Sequence, residues 1–180
     1  MGIRNMNEIL SSYKGKKVFI TGHTGFKGSW LTYVLTELGA DVRGFSLQID
    51  TEPNHFSLLN LKNKIDHVVG DITDLSSLEI ALKEHQPEIV FHLAAQAIVK
   101  YSYDEPVKTF NTNIMGSVNV LDSVRKCDSV KSLVLITSDK CYENSEWIWG
   151  YRENDQLGGH DPYSASKGAA ELIFSAYSRS

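Results

Sequence analysis

The sequence predicts an α/β fold built as a doubly wound parallel sheet, and two observations predict it. Short β-branched runs alternate with amphipathic stretches along the chain, which is how strands joined by crossover helices read. Three of the runs, Lys17 to Thr21, Glu88 to Ala94 and Ser132 to Ser138, are apolar almost without a break, as expected of strands covered on both faces. The elements follow in order. After the first strand, Phe26, Trp30, Leu31, Val34, Leu35 and Leu38 recur at helical spacing until Gly39 ends the pattern. Asp41 to Leu47 and Asp66 to Gly70 read as the second and third strands. Asp74 suits the N-cap of a helix from Leu75 to His85, which Pro87 closes off. Glu88 to Ala94 is the fourth strand. Ile114, Val118, Leu121 and Val124 mark a helix before the fifth, Ser132 to Ser138. Pro162 suits the first turn of a last helix running towards Tyr177. Between them, Asp139 to Pro162 holds two Trp, two Tyr and several Gly without periodicity, and a loop that long is usually functional.

Composition excludes several classes. The 180 residues suit one domain or slightly more, and 42% hydrophobic with 22% charged residues is globular. Eighteen Lys and Arg against 22 Asp and Glu leave a net charge of −4, so no broad nucleic-acid-binding face is expected. The longest apolar stretch, Ile89 to Val99, is broken by His92 and Gln96 and is too short to span a bilayer. The opening residues MGIRNMNEIL carry no signal-peptide core, and Met6 breaks a myristoylation pattern. Cys127 and Cys141 are too few for a disulfide framework or a zinc site. The expectation is a cytoplasmic domain with no metal and no membrane or nucleic-acid partner.

The first strand runs directly into Thr21-Gly22-His23-Thr24-Gly25-Phe26-Lys27-Gly28, and a helix follows. Glycines at 22, 25 and 28 let the backbone turn tightly and approach a diphosphate, while the helix N-terminus offers amide donors and the positive end of its dipole. Strand before and helix after make this a dinucleotide-binding loop and the fold an NAD(P)-binding Rossmann fold. His23 carries a ring where a small residue is usual, and would crowd the phosphates and loosen binding. Lys27 in the first helical turn is either a partner for an anion or a solvated side chain. The second strand ends at Ser46, which accommodates a hydroxyl or a phosphate, so NAD and NADP both stay open from the residues alone.

Tyr163 and Lys167 stand four apart on one face of the last helix. A nearby ammonium stabilises a phenolate, so Tyr163 can take a proton from a substrate hydroxyl while Lys167 holds ribose hydroxyls. Tyr13 and Lys17 have the same spacing but stand at the entrance to the first strand. Position after the fifth strand selects Tyr163. That strand ends in Thr137-Ser138-Asp139-Lys140-Cys141-Tyr142.

The Gly-x-x-Gly-x-x-Gly spacing resembles the extended short-chain dehydrogenase/reductase family. With Asp139 beside Ser138, Trp147-Ile148-Trp149-Gly150-Tyr151-Arg152-Glu153-Asn154, and Gly158-Gly159-His160-Asp161-Pro162-Tyr163, the chain resembles that family's sugar-nucleotide 4,6-dehydratase branch from Gly15 to Tyr177. The resemblance implies NAD as cofactor, with Asp71 and Ile72 flanking the adenine and Leu93-Ala94-Ala95-Gln96 beside the nicotinamide ribose. It implies CDP-glucose as substrate and a 4-keto-6-deoxy sugar as product, a precursor of bacterial dideoxysugars. Ser138 would hydrogen-bond the reacting hydroxyl, and Asp139 would be the acid that expels the hydroxyl at sugar carbon 6. Lys140 replaces the branch's usual Glu, so the base at carbon 5 is Lys140 as a free amine or some other group. Gln96, Lys100, Tyr101 and Asn113 would face the substrate. His92 reads as a core histidine. Family members are about twice as long and act as homo-oligomers, so residues 1–180 are expected to be a truncated dinucleotide-binding domain, inactive without its C-terminal substrate domain. An epimerase or reductase of the same fold, or a non-catalytic dinucleotide-binding module, are the alternatives.

Overall fold

The predicted runs become five parallel strands in a computed structural model that describes residues 10–180. The reading of the first nine residues lies outside the described residues. The strands are β1 (Lys17–Thr21), β2 (Asp41–Ser46), β3 (Asp66–Val69), β4 (Ile89–His92) and β5 (Ser132–Leu135), in the order β3-β2-β1-β4-β5. Val18 of β1 stands opposite Val42 on one side and Ile89 on the other, and Thr21 opposite Phe45 and His92. β1 is therefore central, and its side chains alternate between two cores. Phe19 joins Phe45, Leu78, Leu82, Val90 and Val120 on one face, while Val18 and Ile20 join Leu35 and Val42 on the other. This is the doubly wound arrangement.

The helices are α1 (Phe26–Glu37), α2 (His55–Leu58), α3 (Leu75–His85), α4 (Val99–Asp104), α5 (Pro106–Phe110), α6 (Gly116–Arg125) and α7 (Pro162–Arg179), with a π turn, Asn111–Met115, joining α5 to α6. Caps match the sequence. The Asp74 carboxylate accepts from the amides of Ser76 and Ser77 at 3.1 and 3.2 Å. That of Asp161 accepts from the Ser164 amide at 2.9 Å, with Pro162 opening α7. No described helix is long and apolar enough to cross a membrane.

Three expectations need correction. Strands β2 to β5 stop one to three residues short of their apolar runs: Gly70, Leu93 and Ile136 each still donate one backbone hydrogen bond to the neighbouring strand, and with Leu47, Ala94 and Thr137 they line a cleft at the carboxyl edge of the sheet. Only part of the apolar stripe of α1 faces inward. Leu35 is buried and Leu31 packs against the same core, but Phe26, Trp30 and Val34 are exposed, and Gly28, Ser29 and Thr32 are buried in their place. Small residues there let α1 approach the loop that precedes it. Helices α2, α4 and α5 were not expected, although Pro106 at the first position of α5 and Asn54, the N-cap of α2 whose side chain accepts the Ser57 amide at 2.8 Å, signal two of them.

Two buried histidines make the fold acid-sensitive. His92 accepts or donates at both ring nitrogens, to Thr21 Oγ1 at 2.7 Å and Ser117 Oγ at 3.1 Å, the satisfied core histidine of the sequence reading. Burial, with Lys167 adding to it, pushes its pKa down to about 3. His23 is pushed to about 3 by burial and then by neighbouring His67. Both folded values lie below the unfolded 6.5, so on acidification the unfolded chain takes up these protons first. The stability is complete above about pH 6.5 and is lost as pH falls towards 3, at about 1.4 kcal/mol per pH unit for each ring. Urea-unfolding midpoints are expected to fall steadily from pH 7 to pH 5; a level profile would contradict burial of the neutral rings.

Candidate active site

The site begins where β1 ends. Gly22 has φ +74°, and a Cβ there would stand 2.6 Å from the Ala94 amide nitrogen, so the loop can pass β4 only as glycine. A Cβ on Gly28 would run into the Gly22 carbonyl oxygen, so α1 can start this close to the loop only without one. Gly25, the N-cap of α1, brings no capping side chain, and no acidic residue stands in the first turn. The first-turn amides and the helix dipole are left for an anion. Thr24 Oγ1 and Ser46 Oγ lie 2.9 Å apart and pin the loop to the end of β2.

This loop forms one wall of an open cleft of about 560 Å³, within the size range of small-molecule and cofactor sites. The structure brings most of the expected cofactor residues to it: Gly22, Thr24, Gly25, Phe26, Lys27, Gly28, Ser46, Asp71, Ile72, Leu93, Ala94, Ala95, Tyr163 and Lys167 all line it. Asp71 also accepts the Thr73 amide at 2.9 Å, so it is a turn residue as well. Sequence reasoning missed Leu47, Gly70, Ala97, Lys108, Thr112, Ile136 and Thr137, which complete the lining. Lys108 comes from α5 and lies 5.7 Å from the centre of the Tyr101 ring, and the hydrogen bond with that phenol raises its pKa. Tyr163 and Lys167 project from α7 into the same cleft, the Lys167 ammonium 5.9 Å from the centre of the Tyr163 ring. Lys167 is only 8% exposed, and burial, reinforced by Lys27 and opposed by Glu171, holds its pKa below the ordinary lysine value.

Five expected residues sit elsewhere. The His23 ring is fully buried beneath the loop, 2.7 Å from His67 Nδ1 and edge-on to Phe56, against the face of Gly44. It does not line the cleft, so it does not crowd phosphates there; the absence of a Cβ at Gly44 makes room for it. Asn113 is 2% exposed and fully engaged: its oxygen accepts the Gln96 amide at 2.8 Å, and its nitrogen donates to the Gln96 carbonyl at 3.0 Å and Ser166 Oγ at 2.8 Å. It ties the loop after β4 to α7 and has nothing left for a substrate. The Gln96 carboxamide closes its own turn, accepting the Ile98 amide and donating to Thr109. Lys100 is exposed, and neither it nor Tyr101 lines either cavity.

Beyond β5, Ser138 caps a 3-10 turn, Asp139–Cys141, accepting the Lys140 amide at 3.2 Å and donating to Asp139 Oδ1 at 2.9 Å. Asp139 and Lys140 face a second cavity of about 270 Å³ with Tyr142, Tyr151, His160 and Asp161. The structure therefore does not bring them into the cleft of Tyr163. The two spaces are neighbours, because adjacent residues of α7, Tyr163 and Ser164, line one each. The long loop is ordered around stacked rings of Tyr142 and Tyr151, 5.1 Å apart. No group of three or more potential metal ligands occurs among the described residues.

Residues 19–180 match the family model described as GDP-mannose 4,6 dehydratase. The chain belongs to that family. Among relatives within reach of this family member, the CDP-glucose 4,6-dehydratase of Salmonella typhimurium is 52% identical over 168 residues, covering 93% of this chain and 47% of that protein. An epimerase from Methanothermobacter thermautotrophicus superposes with a TM-score of 0.82 at 30% identity, over 96% of this chain and 50% of that one. The UDP-glucose 4-epimerase of Brucella ovis, solved in complex with NAD, superposes with a TM-score of 0.79 at 25% identity, over 92% and 49%. The chain spans about half the length of the curated relatives it matches. Its five-stranded parallel sheet is the Rossmann-type fold expected from sequence.

The Asn113 cluster has a measurable consequence for this family member. Asn113→Ala leaves the part-buried Gln96 amide and carbonyl without these partners, and the buried Ser166 hydroxyl with its bond to the Tyr163 carbonyl but without the carboxamide donor. It is expected to destabilise the fold by roughly 2–4 kcal/mol in urea unfolding. A loss below about 0.5 kcal/mol, the range of an ordinary surface change, would show that the carboxamide is not holding these elements together.

Proposed function

We propose that the complete protein is an NAD-dependent lyase that dehydrates CDP-glucose to CDP-4-keto-6-deoxyglucose, and that residues 1–180 are its dinucleotide-binding half. The observation that carries this is the buried Tyr163–Lys167 pair facing the Gly22–Gly28 cradle across one cleft. The 52% identity to the Salmonella CDP-glucose 4,6-dehydratase supports the choice of reaction and nucleotide. The NAD complex of the Brucella epimerase supports the cofactor.

The cradle fits a dinucleotide. Its glycines exclude the atoms that would keep a diphosphate off the backbone, and its first-turn amides lack an anionic partner of their own. NAD would lie along this wall, with Ser46 and Asp71 towards its adenosine end and Lys167 towards the nicotinamide ribose. When bound, it would supply the hydride acceptor for sugar carbon 4 and the hydride donor for carbon 6, so no net oxidation would result. Tyr163, with the Lys167 ammonium beside it, takes the proton of the carbon 4 hydroxyl, and Ser138 hydrogen-bonds that oxygen. The ketone so formed acidifies the hydrogen on carbon 5. Asp139 protonates the departing hydroxyl of carbon 6 as water, and a base removes the carbon 5 proton and gives it back to carbon 5 when carbon 6 receives the hydride. Lys140, next to Asp139, is the candidate for that base. Since Asp139 and Lys140 face the neighbouring cavity, the sugar must reach across the Ser138 turn to both. The nucleotide end of the substrate then falls to the other half of the protein, which would assemble as a homo-oligomer. Two buried free thiols, Cys127 and Cys141, suit the reducing cytoplasm.

In the complete protein, Asp139→Asn is expected to abolish formation of the 4-keto-6-deoxy sugar while oxidation at carbon 4 survives, seen as NADH absorbance in a single turnover. Full dehydration by that variant removes Asp139 as the acid; no dehydration of CDP-glucose by the wild type removes the reaction itself. Gly28→Ala is expected to weaken NAD binding by at least tenfold in a fluorescence titration without substrate, on the order of 1.4 kcal/mol, and wild-type affinity would show that the diphosphate does not use this cradle.

A further inference from the structure

Lys167 is almost enclosed, and among the described residues its ammonium takes part in no ion pair. The charged and titratable groups around it are few. Lys27 faces it from α1, neutral His92 from β4, and Tyr163 and Glu171 from its own helix. Glu171 is the carboxylate of this set, four residues and one turn past Lys167, hence on the same face of α7. It is half-buried, and it has a partner of its own: the Thr137 hydroxyl donates to Glu171 Oε1. Thr137 lines the dinucleotide cleft at the end of the β5 run, directly before Ser138 and Asp139. The field of the same carboxylate reaches Cys141 and Tyr142, at the far end of that turn. One side chain thus stands between the helix that carries Tyr163 and Lys167 and the turn that carries Ser138, Asp139 and Lys140.

We propose that Glu171 is a positioning residue, which through Thr137 fixes the distance between the Tyr163–Lys167 pair and the Ser138–Lys140 turn. This deepens the reading of the site given above and rests on it. In that reading the sugar must meet Tyr163 from one cavity and Asp139 from its neighbour, so the spacing of α7 from the β5 turn decides whether both reach the same molecule. The turn also meets α7 through its backbone, where a Cβ on Gly168 would stand 3.1 Å from the Cys141 carbonyl oxygen. The hydroxyl–carboxylate bond supplies a side-chain link with one length and one direction.

Four variants of the complete protein test this, with CDP-glucose turnover, NAD titration and urea unfolding as readouts. Glu171→Ala and Thr137→Val are each expected to lower kcat by about tenfold or more while KM for CDP-glucose stays within about twofold, and the double variant to lose no more than either alone. Glu171→Gln keeps an acceptor for the Thr137 hydroxyl and is expected to restore most of kcat. Glu171→Asp keeps the charge but falls short of Thr137, and is expected to behave as Glu171→Ala. Losses that multiply in the double variant, an Asp variant that rescues better than Gln, or wild-type kcat in Glu171→Ala would each overturn the proposal. If wild-type protein does not turn over CDP-glucose, the proposed reaction fails on its own. The link is then read from coupling between Thr137→Val and Glu171→Ala in unfolding midpoints and in NAD affinity. Additive effects in both would overturn it there too.

Discussion

Everything in the site depends on two backbones coming closer than side chains normally allow. At the carboxyl edge of the sheet, β1 and β4 are neighbours, yet the chain leaves β1 towards one face and β4 towards the other. That divergence opens a crevice, the general position for ligands in open α/β sheets. The crevice has a backbone floor only because Gly22 lets the first loop lie against Ala94. The approach is held from below by Thr21, whose hydroxyl meets His92 at 2.7 Å and the Ala94 amide at 3.2 Å, while the other side of the His92 ring meets Ser117 of α6. A buried imidazole is thus the joint between two strands and a helix, and it serves while neutral.

The cleft that results has a directional electrostatic character. Its loop wall carries backbone donors and the positive end of a helix, and its far wall carries a lysine deprived of solvent. Burying an ammonium without a direct counter-ion costs free energy, and such groups are found where a ligand or a developing charge makes use of them. The Lys167 site therefore argues against a purely structural helix. Asn113 and Glu171 do complementary mechanical work along α7, one tying the loop after β4 to Ser166 and the other tying the end of β5 to the helix little more than a turn further on.

Much of this was legible in the residues. The alternation of runs gives the sheet, glycine spacing gives the loop, and helical spacing gives the Tyr163–Lys167 pair. What the chain does not reveal by itself is which face of an element turns inward when two faces could. α1 has an apolar stripe and a small-residue stripe, and close approach to the loop turns the small one inward, with Leu35 and Leu31 the part of the apolar stripe that follows it. His23 looks like an obstacle in a phosphate loop because its backbone position is readable while its rotamer is not; Gly44, on another strand, decides where the ring goes. Asn113 carries a chemistry-bearing side chain, but its partners lie 17 and 53 residues away. Lys108 and Thr137 were invisible for the same reason. Glu171 was the exception, since four residues past Lys167 is a spacing that could have been noticed.

The π turn between α5 and α6 is a change of phase. An α-helix advances about 100° per residue, and a single wide turn inserts one residue without lengthening the rod in proportion. The faces of α5 and α6 therefore belong to two different angular lattices, with Asn111–Met115 as the slip between them. Asn113 sits in that slip, buried and pointing at two other elements. A chain shortened by one residue there could rewind into an uninterrupted helix with no gap and no unpaired turn, and local geometry would register no fault. The whole of α5, and with it Lys108 on the wall of the cleft, would nevertheless be rotated out of register with the sheet. In this segment the count of residues carries information that their identities do not.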